Sequence, residues 1–228
     1  MRGARLRPDL GLDYLAVGHV TADVMLDGGV RAGGAVTYYG DIALASPPSP
    51  GSAPKRAFLT TRHGDVVSTA LRVFDLADPS GPREVAQAWD YRGVYGALAV
   101  TDRHAFVVTT AWWDCSLNGL RVFDIASAIT PTQVTTMTMR APVDLALRDT
   151  HAYVADAGDG LIVLDVRDPT RPHQTAGYRI AGRATGVAVT ARHVIAVSRA
   201  TTGSPTWWAP AAGFAAARGC PRCRSCAP

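Results

Sequence analysis

The sequence predicts an all-β fold, an incomplete β-propeller of about three four-stranded blades, from two recurring phrases, their period and the turns between them. The first phrase is a mainly apolar run that contains an Asp, and it occurs as Leu71-Arg-Val-Phe-Asp-Leu, Leu120-Arg-Val-Phe-Asp-Ile and Leu161-Ile-Val-Leu-Asp-Val. The second phrase contains a His, in Leu98-Ala-Val-Thr-Asp-Arg-His, Leu145-Ala-Leu-Arg-Asp-Thr-His and Val187-Ala-Val-Thr-Ala-Arg-His. The first recurs after 49 and 41 residues and the second after 47 and 42, a period typical of propeller blades.

Turn signals separate the strand-like runs at the places where a blade needs them. They occur at Asp78-Pro79, Thr130-Pro131, Asp159-Gly160 and Asp168-Pro169, where Pro and Gly favour tight turns. The strand-like runs number about 13 and lie near residues 57–61, 71–76, 84–89, 95–101, 104–110, 119–125, 133–138, 143–148, 151–155, 160–166, 174–179, 185–190 and 193–198. At four strands a blade, these runs make slightly more than three blades, and we expect the array to begin inside a blade.

The composition supports a folded core and excludes two classes of partner. Hydrophobic residues make up 47% of the 228 residues, which is ample for burial. The net charge of +4 comes from arginines near both ends, and between them Arg and Asp are interspersed as on a solvated face. Because no basic face with stacking aromatics is visible, we expect no nucleic-acid partner. No apolar run reaches the roughly 18 residues that a membrane span requires.

The start of the chain bears on its compartment. Basic residues open the chain, but Asp9, Asp13 and Asp23 interrupt the apolar stretch that follows. The stretch therefore lacks the apolar core of a secretory signal. The sequence as written predicts a cytoplasmic protein, whereas a missing leader would make it a cell-surface or exported one.

Residues 1–45 form a first zone, for which we predict a short α/β segment. Asp13-Tyr-Leu-Ala-Val-Gly-His-Val is predicted to be a buried strand, and Asp27-Gly28-Gly29 a hairpin-type turn. Gly33-Gly34 then precedes residues 35–45, which we predict to be a helix opened by this glycine turn.

This zone resembles the start of PfkB-type (ribokinase-like) sugar and nucleoside kinases, through Gly18-His-Val-Thr-Ala-Asp23, Asp27-Gly-Gly and Gly33-Gly34-Ala-Val-Thr-Tyr. The resemblance implies that Asp23 binds substrate hydroxyls and that Gly33 and Gly34 let the backbone approach a sugar. It covers about 30 residues, and the sequence lacks the family's Gly-Ala-Gly-Asp anion hole and nucleotide-binding half. A PfkB-like carbohydrate kinase segment is therefore the alternative function rather than the leading one.

Residues 46–56, Ser46-Pro-Pro-Ser-Pro-Gly-Ser-Ala-Pro-Lys-Arg, separate this zone from the repeats. Four prolines with Ser and Gly fit neither a strand ladder nor a helix interior. We therefore predict a semi-extended linker and a domain boundary here, followed by the repeats over residues 57–199.

The repeats of residues 57–199 are similar to the LVIVD-repeat family of bacterial β-propellers, which is named for a strand of the type Leu161-Ile-Val-Leu-Asp-Val. Members are generally cell-surface or exported proteins that are described by their repeat rather than by a reaction. The resemblance implies a platform for interactions with a protein or a small ligand. It implies no cofactor and no catalytic residue.

The number of blades raises the question of closure. A closed propeller usually has at least four blades, so three and a fraction leave strand edges that invite pairing with another chain. The N-terminal zone donates strands, or chains associate through the open edges, or the sequence is a truncated or fragmentary member; we favour the fragment. After Arg199 the repeat is lost, and we predict that residues 200–228 are an irregular, disordered tail rich in Cys and Arg.

Aspartates recur at equivalent positions near the end of the first phrase, at Asp75, Asp124 and Asp165. They would hold a cation if they formed a ring of carboxylates around a channel. Alternatively, each carboxylate accepts backbone N–H bonds at the following turn, as Asp commonly does. We favour this structural role.

Histidines recur in the tight turn of the second phrase, at His104, His151 and His193. Three imidazoles bind a transition metal when they converge. Because equivalent loops of neighbouring blades are displaced around the ring, we favour structural hairpin histidines over a metal site.

The tail carries the spacing that most resembles a metal site, at Cys220, Cys223 and Cys226. A zinc site normally has four ligands, usually as two separated pairs. The only other cysteine, Cys115, lies in a different zone, so zinc binding by the tail is the weakest of the functional hypotheses.

The leading hypothesis is a non-catalytic β-propeller repeat protein that acts as an interaction scaffold. The sequence contains neither a Gly-x-Ser-x-Gly elbow nor a phosphate-binding P-loop. The repeats themselves identify neither the ligand nor the partner.

Overall fold

The computed structural model describes residues 37–45, 56–63, 68–78, 81–111, 114–126 and 130–200. These residues form strands and one short 3-10 turn, η1 at Cys115–Leu117. The strands of the first half are β1 Thr37–Leu44, β2 Arg56–His63, β3 Ser68–Asp75, β4 Arg83–Asp90, β5 Val94–Val100, β6 His104–Thr110 and β7 Gly119–Asp124. Those of the second half are β8 Thr132–Thr138, β9 Pro142–Arg148, β10 His151–Asp156, β11 Gly160–Asp165, β12 His173–Tyr178, β13 Arg183–Val189 and β14 Val194–Arg199.

Consecutive strands pair antiparallel and build one sheet after another along the chain. Strands β1–β4, β5–β8 and β9–β12 form three four-stranded sheets, here blades 1, 2 and 3, and β13–β14 form a two-stranded half-blade 4. The first strand of each sheet packs against the first strand of the next, so that β1, β5, β9 and β13 are successive neighbours. The prediction of an all-β, propeller-like array with about three four-stranded blades is therefore confirmed.

Strand β1 corrects the prediction for the N-terminal zone. The helix expected over residues 35–45 is wrong where the structure describes this segment, because Thr37–Leu44 is a strand that pairs with β2. Tyr39-Gly-Asp-Ile-Ala-Leu repeats the pattern of Tyr95-Gly-Ala-Leu-Ala-Val in β5, and aromatic and β-branched residues favour strands. Within the described residues, the array thus begins with the first strand of a four-stranded sheet rather than inside a blade.

The pairing of β1 with β2 also bears on the proline-rich segment. The two strands on either side of residues 46–55 belong to one sheet, with Leu44 opposite Ala57. The boundary expected at residues 46–56 therefore falls between two paired strands of blade 1. The rest of the predicted α/β segment and the predicted disordered tail lie outside the described residues.

Apolar side chains fill the spaces between successive blades, because a sheet face that stays in water gains no hydrophobic stabilisation. Blades 1 and 2 share a buried cluster formed by Phe58, Leu71, Val73, Tyr95, Leu98, Ala105, Val107, Phe123 and Ile125. Blades 2 and 3 share a second cluster formed by Phe106, Val108, Leu120, Val122, Met139, Leu145, Ala152, Val154, Ile162, Leu164 and Val166. The two largest buried clusters of the described residues are therefore interfaces between neighbouring repeats.

Two half-buried carboxylates link neighbouring blades through the first strands of their sheets. Asp41 accepts the N–H of Ile42 on Oδ1 and the N–H of Leu98, in blade 2, on Oδ2, both at 2.8 Å. Burial raises the pKa of the Asp41 carboxyl, and the two backbone N–H groups oppose this shift. The carboxylate thus accepts backbone N–H groups at the bulges where the first strands of the two sheets shift register.

The second link repeats the first one two blades later. Asp144 accepts the N–H of Leu145 on Oδ1 at 2.9 Å and the N–H of Val187, in half-blade 4, on Oδ2 at 2.8 Å. Blade 2 has Ala97 at the equivalent position, so no such carboxylate joins blade 2 to blade 3.

We expect Asp41→Ala and Asp144→Ala each to lower the free energy of unfolding by about 2 kcal/mol, since each leaves the amide of Leu98 or Val187 without its charged acceptor. Urea unfolding of each variant measures the loss. Asp102→Ala, in an exposed turn, is the matched control and should change stability by less than about 0.5 kcal/mol. Equal losses for all three variants would contradict a specific role for the links.

Candidate functional site

The interface between blades 1 and 2 contains a buried ion pair. The guanidinium of Arg121 in β7, a residue only 2% exposed, contacts the carboxylate of Asp90 at the end of β4. The Asp90 carboxylate also accepts the hydroxyl of Tyr95 at 3.3 Å and the backbone N–H of Arg92 at 2.9 Å. Burial lowers the pKa of the Arg121 guanidinium and raises the pKa of the Tyr95 hydroxyl. Within this interface, the charged and hydrogen-bonding groups of the pair and of Tyr95 are therefore partners for one another.

Blade 1 has an arginine, Arg72, at the position equivalent to Arg121. Arg121 donates from Nε to Thr109 Oγ1 at 3.3 Å and from Nη1 to Gln133 Oε1 at 3.3 Å. Arg72, at the equivalent place in the first phrase, donates from Nε to Thr61 Oγ1 at 3.3 Å and from Nη1 to Glu84 Oε2 at 3.0 Å. An arginine in the first phrase is therefore a repeated structural element of blades 1 and 2.

The interface between blades 2 and 3 departs from this pattern at both members of the ion pair. The first phrase of blade 3 has Ile162 where the others have Arg72 and Arg121. Across the interface, Met139 lies six residues after Gln133, just as Asp90 lies six residues after Glu84. The place filled by an arginine and a carboxylate between blades 1 and 2 is therefore occupied by two apolar residues between blades 2 and 3.

A cleft of about 540 Å³ lies at this place between blades 2 and 3. It is lined by Asp114, Cys115, Ser116, Met137, Thr138, Met139, Arg140, Asp159, Ile162 and Gln174. Met139 and Ile162 are each 6% exposed and belong to the buried cluster of this interface, against which Met137 packs. The cleft therefore has an apolar floor and a polar rim.

The rim carries charged groups in definite arrangements. The Arg140 and Asp159 side chains are partly exposed, with Nη1 and Oδ1 3.5 Å apart. A Cβ added at Gly158 would lie 2.6 Å from Cδ of Arg140, so a larger residue there would force the Arg140 side chain to shift. Asp114 is the N-cap of η1, where its Oδ1 accepts the N–H of Ser116 at 3.0 Å and the hydroxyl of the same residue at 2.7 Å.

Two buried polar side chains hold the backbone around the cleft. Asp156, fully buried, accepts the N–H groups of Gly158 and Asp159 on Oδ1 at 2.8 and 3.0 Å, and that of Ala141 on Oδ2 at 2.8 Å. The amide of Asn118 donates to the carbonyl of Arg140 at 2.9 Å. The hairpin and the connection on either side of the cleft are thereby fixed to each other.

The three recurrent aspartates lie at the other end of their strands from the cleft. Each accepts on Oδ1 the backbone N–H two residues later, in the pairs Asp75 with Ala77 at 2.9 Å, Asp124 with Ala126 at 2.8 Å and Asp165 with Arg167 at 2.9 Å. The Arg167 guanidinium, together with this N–H, lowers the pKa of the Asp165 carboxyl to about 2. These carboxylates cap separate turns.

The three recurrent histidines begin strands or stand one residue before one. The backbone carbonyl of His104 accepts the N–H of Thr101, and the backbone carbonyl of His193 accepts the N–H of Thr190. Each N to O distance is 2.8 Å. His151 lies opposite Asp165 in the strand register, as His104 lies opposite Asp124. In the part of the chain that the structure describes, no three His, Cys, Asp or Glu side chains are grouped so as to hold a metal ion.

The remaining predicted site residues lie outside the described residues. They are Asp23, Gly33 and Gly34 of the kinase-like zone and Cys220, Cys223 and Cys226 of the tail. The kinase and zinc hypotheses therefore stay predictions. Among the described residues, no helix has the length and apolar character to cross a membrane.

Ile162 and Met139 of the cleft, and the linking residues Asp41 and Asp144, were not predicted as site residues. Ile162 signals the cleft by departing from Arg72 and Arg121 within an otherwise repeated phrase. The inter-blade carboxylates carry a signal as well, since Asp41-Ile-Ala-Leu and Asp144-Leu-Ala-Leu are versions of one segment.

We expect the buried pair to behave as a unit. Asp90→Met or Arg121→Ile should each cost about 3–5 kcal/mol, because each leaves a buried charge without its partner. The double variant, which has the residue types of Met139 and Ile162, should cost much less than the sum. Urea unfolding of the four proteins gives the coupling free energy, and additive losses would show that the pair contributes no coupling.

We expect Arg167→Ala to raise the pKa of Asp165 from about 2 toward its ordinary value of 3.8. A carboxyl whose folded pKa is depressed stabilises the protein above its unfolded pKa and loses that contribution as the pH falls through the folded value. The variant should therefore lose part of the acid dependence of stability between about pH 4 and 2. Carboxyl ¹³C NMR titration measures the shift, with Arg192→Ala as the exposed control; an unchanged pKa would disprove the assignment.

Comparison with known proteins gives one sequence match. The model of the LVIVD repeat matches residues 141–178, which span blade 3 and the connection that precedes it. A search of curated protein sequences found no match to this chain.

Solved structures give distant likenesses. The computationally designed Ika4 protein is 13% identical, with 69% of this chain and 92% of that chain covered and a TM-score of 0.46. A functionally unknown protein from Desulfotomaculum acetoxidans DSM 771 is 11% identical, with 71% and 63% covered and a TM-score of 0.40. The sequence match and the sheets together identify an all-β repeat protein whose third blade matches the LVIVD repeat.

Proposed function

We propose that this chain is a non-catalytic LVIVD-type repeat protein that acts as an interaction scaffold and binds its ligand in the cleft between blades 2 and 3. The first phrases at Leu71 and Leu120 repeat that at Leu161, inside the matched segment. This likeness supports the extension of the LVIVD repeat to blades 1 and 2.

One observation carries the assignment of the binding site. Between blades 1 and 2, Arg121 and Asp90 fill the space next to the apolar cluster. Between blades 2 and 3, Ile162 and Met139 leave a cleft of about 540 Å³ at the same place. Small-molecule sites are typically clefts of about 300–1,000 Å³, with apolar walls and a few fixed polar groups.

The surroundings of the cleft favour binding without much rearrangement. Its floor lies in the packed core between two blades, and its rim lies on backbone that Asp156 and Asn118 hold by hydrogen bonds. A site whose supporting groups are already ordered loses less conformational entropy on binding. The fold therefore supplies a pre-formed pocket at a junction of two repeats.

The double variant Met139→Asp with Ile162→Arg tests this proposal, because it installs the residue types of the preceding interface and fills the cleft. Fragment screening by ligand-observed NMR on the wild-type protein should find aromatic fragments that bind. Their affinity for the double variant should fall at least tenfold, about 1.4 kcal/mol.

Two controls keep this result specific. Val134→Thr, an exposed change on β8, should leave the affinities unchanged, and thermal unfolding should show that the double variant is folded. If the double variant does not fold, Ile162→Met, which extends a longer side chain into the cleft, takes its place. Binding that survives in a folded, cleft-filled variant, or no binding of any fragment to the wild type, would overturn the proposal.

A further inference from the structure

We propose that the ligand of the cleft is an uncharged amphipathic molecule with an aromatic body and a hydrogen-bonding head. This inference rests on the proposed function, and it follows from the floor, the rim and the size of the cleft taken together.

The floor selects for an aromatic body. Met137, Met139 and Ile162 present two thioethers and one aliphatic side chain to the cleft. Methionine sulfur makes favourable contacts with aromatic rings, and its flexible chain adapts to a flat ligand. A ring that enters the cleft also removes the exposed part of the Met137 side chain from water.

The rim selects against a net charge. The Arg140 guanidinium and the Asp159 carboxylate already contact each other across the edge of the cleft. The Asp114 carboxylate accepts two bonds from Ser116 within its own turn. A charged ligand loses part of its hydration on entering and must compete with these contacts, so we expect it to bind less tightly than a neutral one.

The head of the ligand meets neutral hydrogen-bonding groups at the rim. Thr138 and Gln174 line the cleft and are exposed. A hydroxyl and an amide offer both donors and acceptors, which suit an alcohol or amide group on the ligand. A volume of about 540 Å³ accommodates a bicyclic ring with a short side chain.

A series of indoles with the same ring and different heads tests the charge preference. Isothermal titration calorimetry should compare indole-3-ethanol (neutral), tryptamine (cationic) and indole-3-acetate (anionic) on the full chain. We expect the neutral alcohol to bind about tenfold more tightly than either charged compound. Asp159→Asn, which leaves Arg140 without that carboxylate, should improve the binding of indole-3-acetate relative to the alcohol.

A second pair of probes tests the aromatic preference. We expect 2-phenylethanol to bind more tightly than 2-cyclohexylethanol, and Met139→Leu, which conserves volume but removes the sulfur, to reduce this ratio. Equal binding of the three indoles, or tighter binding of a charged one, would overturn the inference about charge. A ratio that Met139→Leu leaves unchanged would overturn the role of the thioether.

The outcomes also separate this inference from the proposed function. If fragments of another class bind the wild-type protein and do not bind the cleft-filled variant, the proposed site is supported and the proposed ligand class is wrong. If no fragment binds the wild-type protein, both proposals fail.

Discussion

The structure depends on the burial of each blade against the next. A four-stranded antiparallel sheet of this size does not bury enough apolar surface by itself, and repeat arrays gain stability through the interfaces of neighbouring units. In this chain the largest buried clusters lie between blades rather than within them. The ion pair, the carboxylate links and the cleft are each a way of filling one of these interfaces or leaving it open.

Different kinds of contact stabilise the interfaces between blades, although the strands themselves are alike. Between blades 1 and 2, the Asp90–Arg121 pair and the Asp41 link add polar contacts to the apolar cluster. Between blade 3 and half-blade 4, Asp144 supplies a link of the same kind. Between blades 2 and 3, Ala97, Met139 and Ile162 replace these groups, and the interface is mainly apolar. This difference accounts for the cleft.

Much of the fold follows from the sequence because the repeated phrases specify both alternation and turns. The strands that begin at His104 and His151 and the turns capped by Asp75, Asp124 and Asp165 belong to segments that repeat. Strand β1 was not predicted, since its glycine-rich approach resembled a kinase start and its strand character depends on pairing with β2, across residues 46–55.

The candidate site is harder to predict for a related reason. A change from Arg121 to Ile162 is visible in the sequence, but its effect depends on Met139, which faces the same interface from the neighbouring blade. The register and the bulges of the strands determine which residues of two blades contact each other. Neither can be read from one copy of a repeated phrase. A cleft that forms between repeats is therefore invisible to an analysis of one repeat at a time.

The unlike interfaces have a consequence for how the array responds to temperature. Hydrophobic burial weakens on cooling, and the desolvation cost of a buried ion pair also rises as the temperature falls. The interfaces therefore lose stability on cooling for different reasons, and at the junction of blades 2 and 3 the loss comes mainly from apolar packing. A molecule seated in that junction touches both blades, so it acts there as a non-covalent cross-link between the two halves of the array.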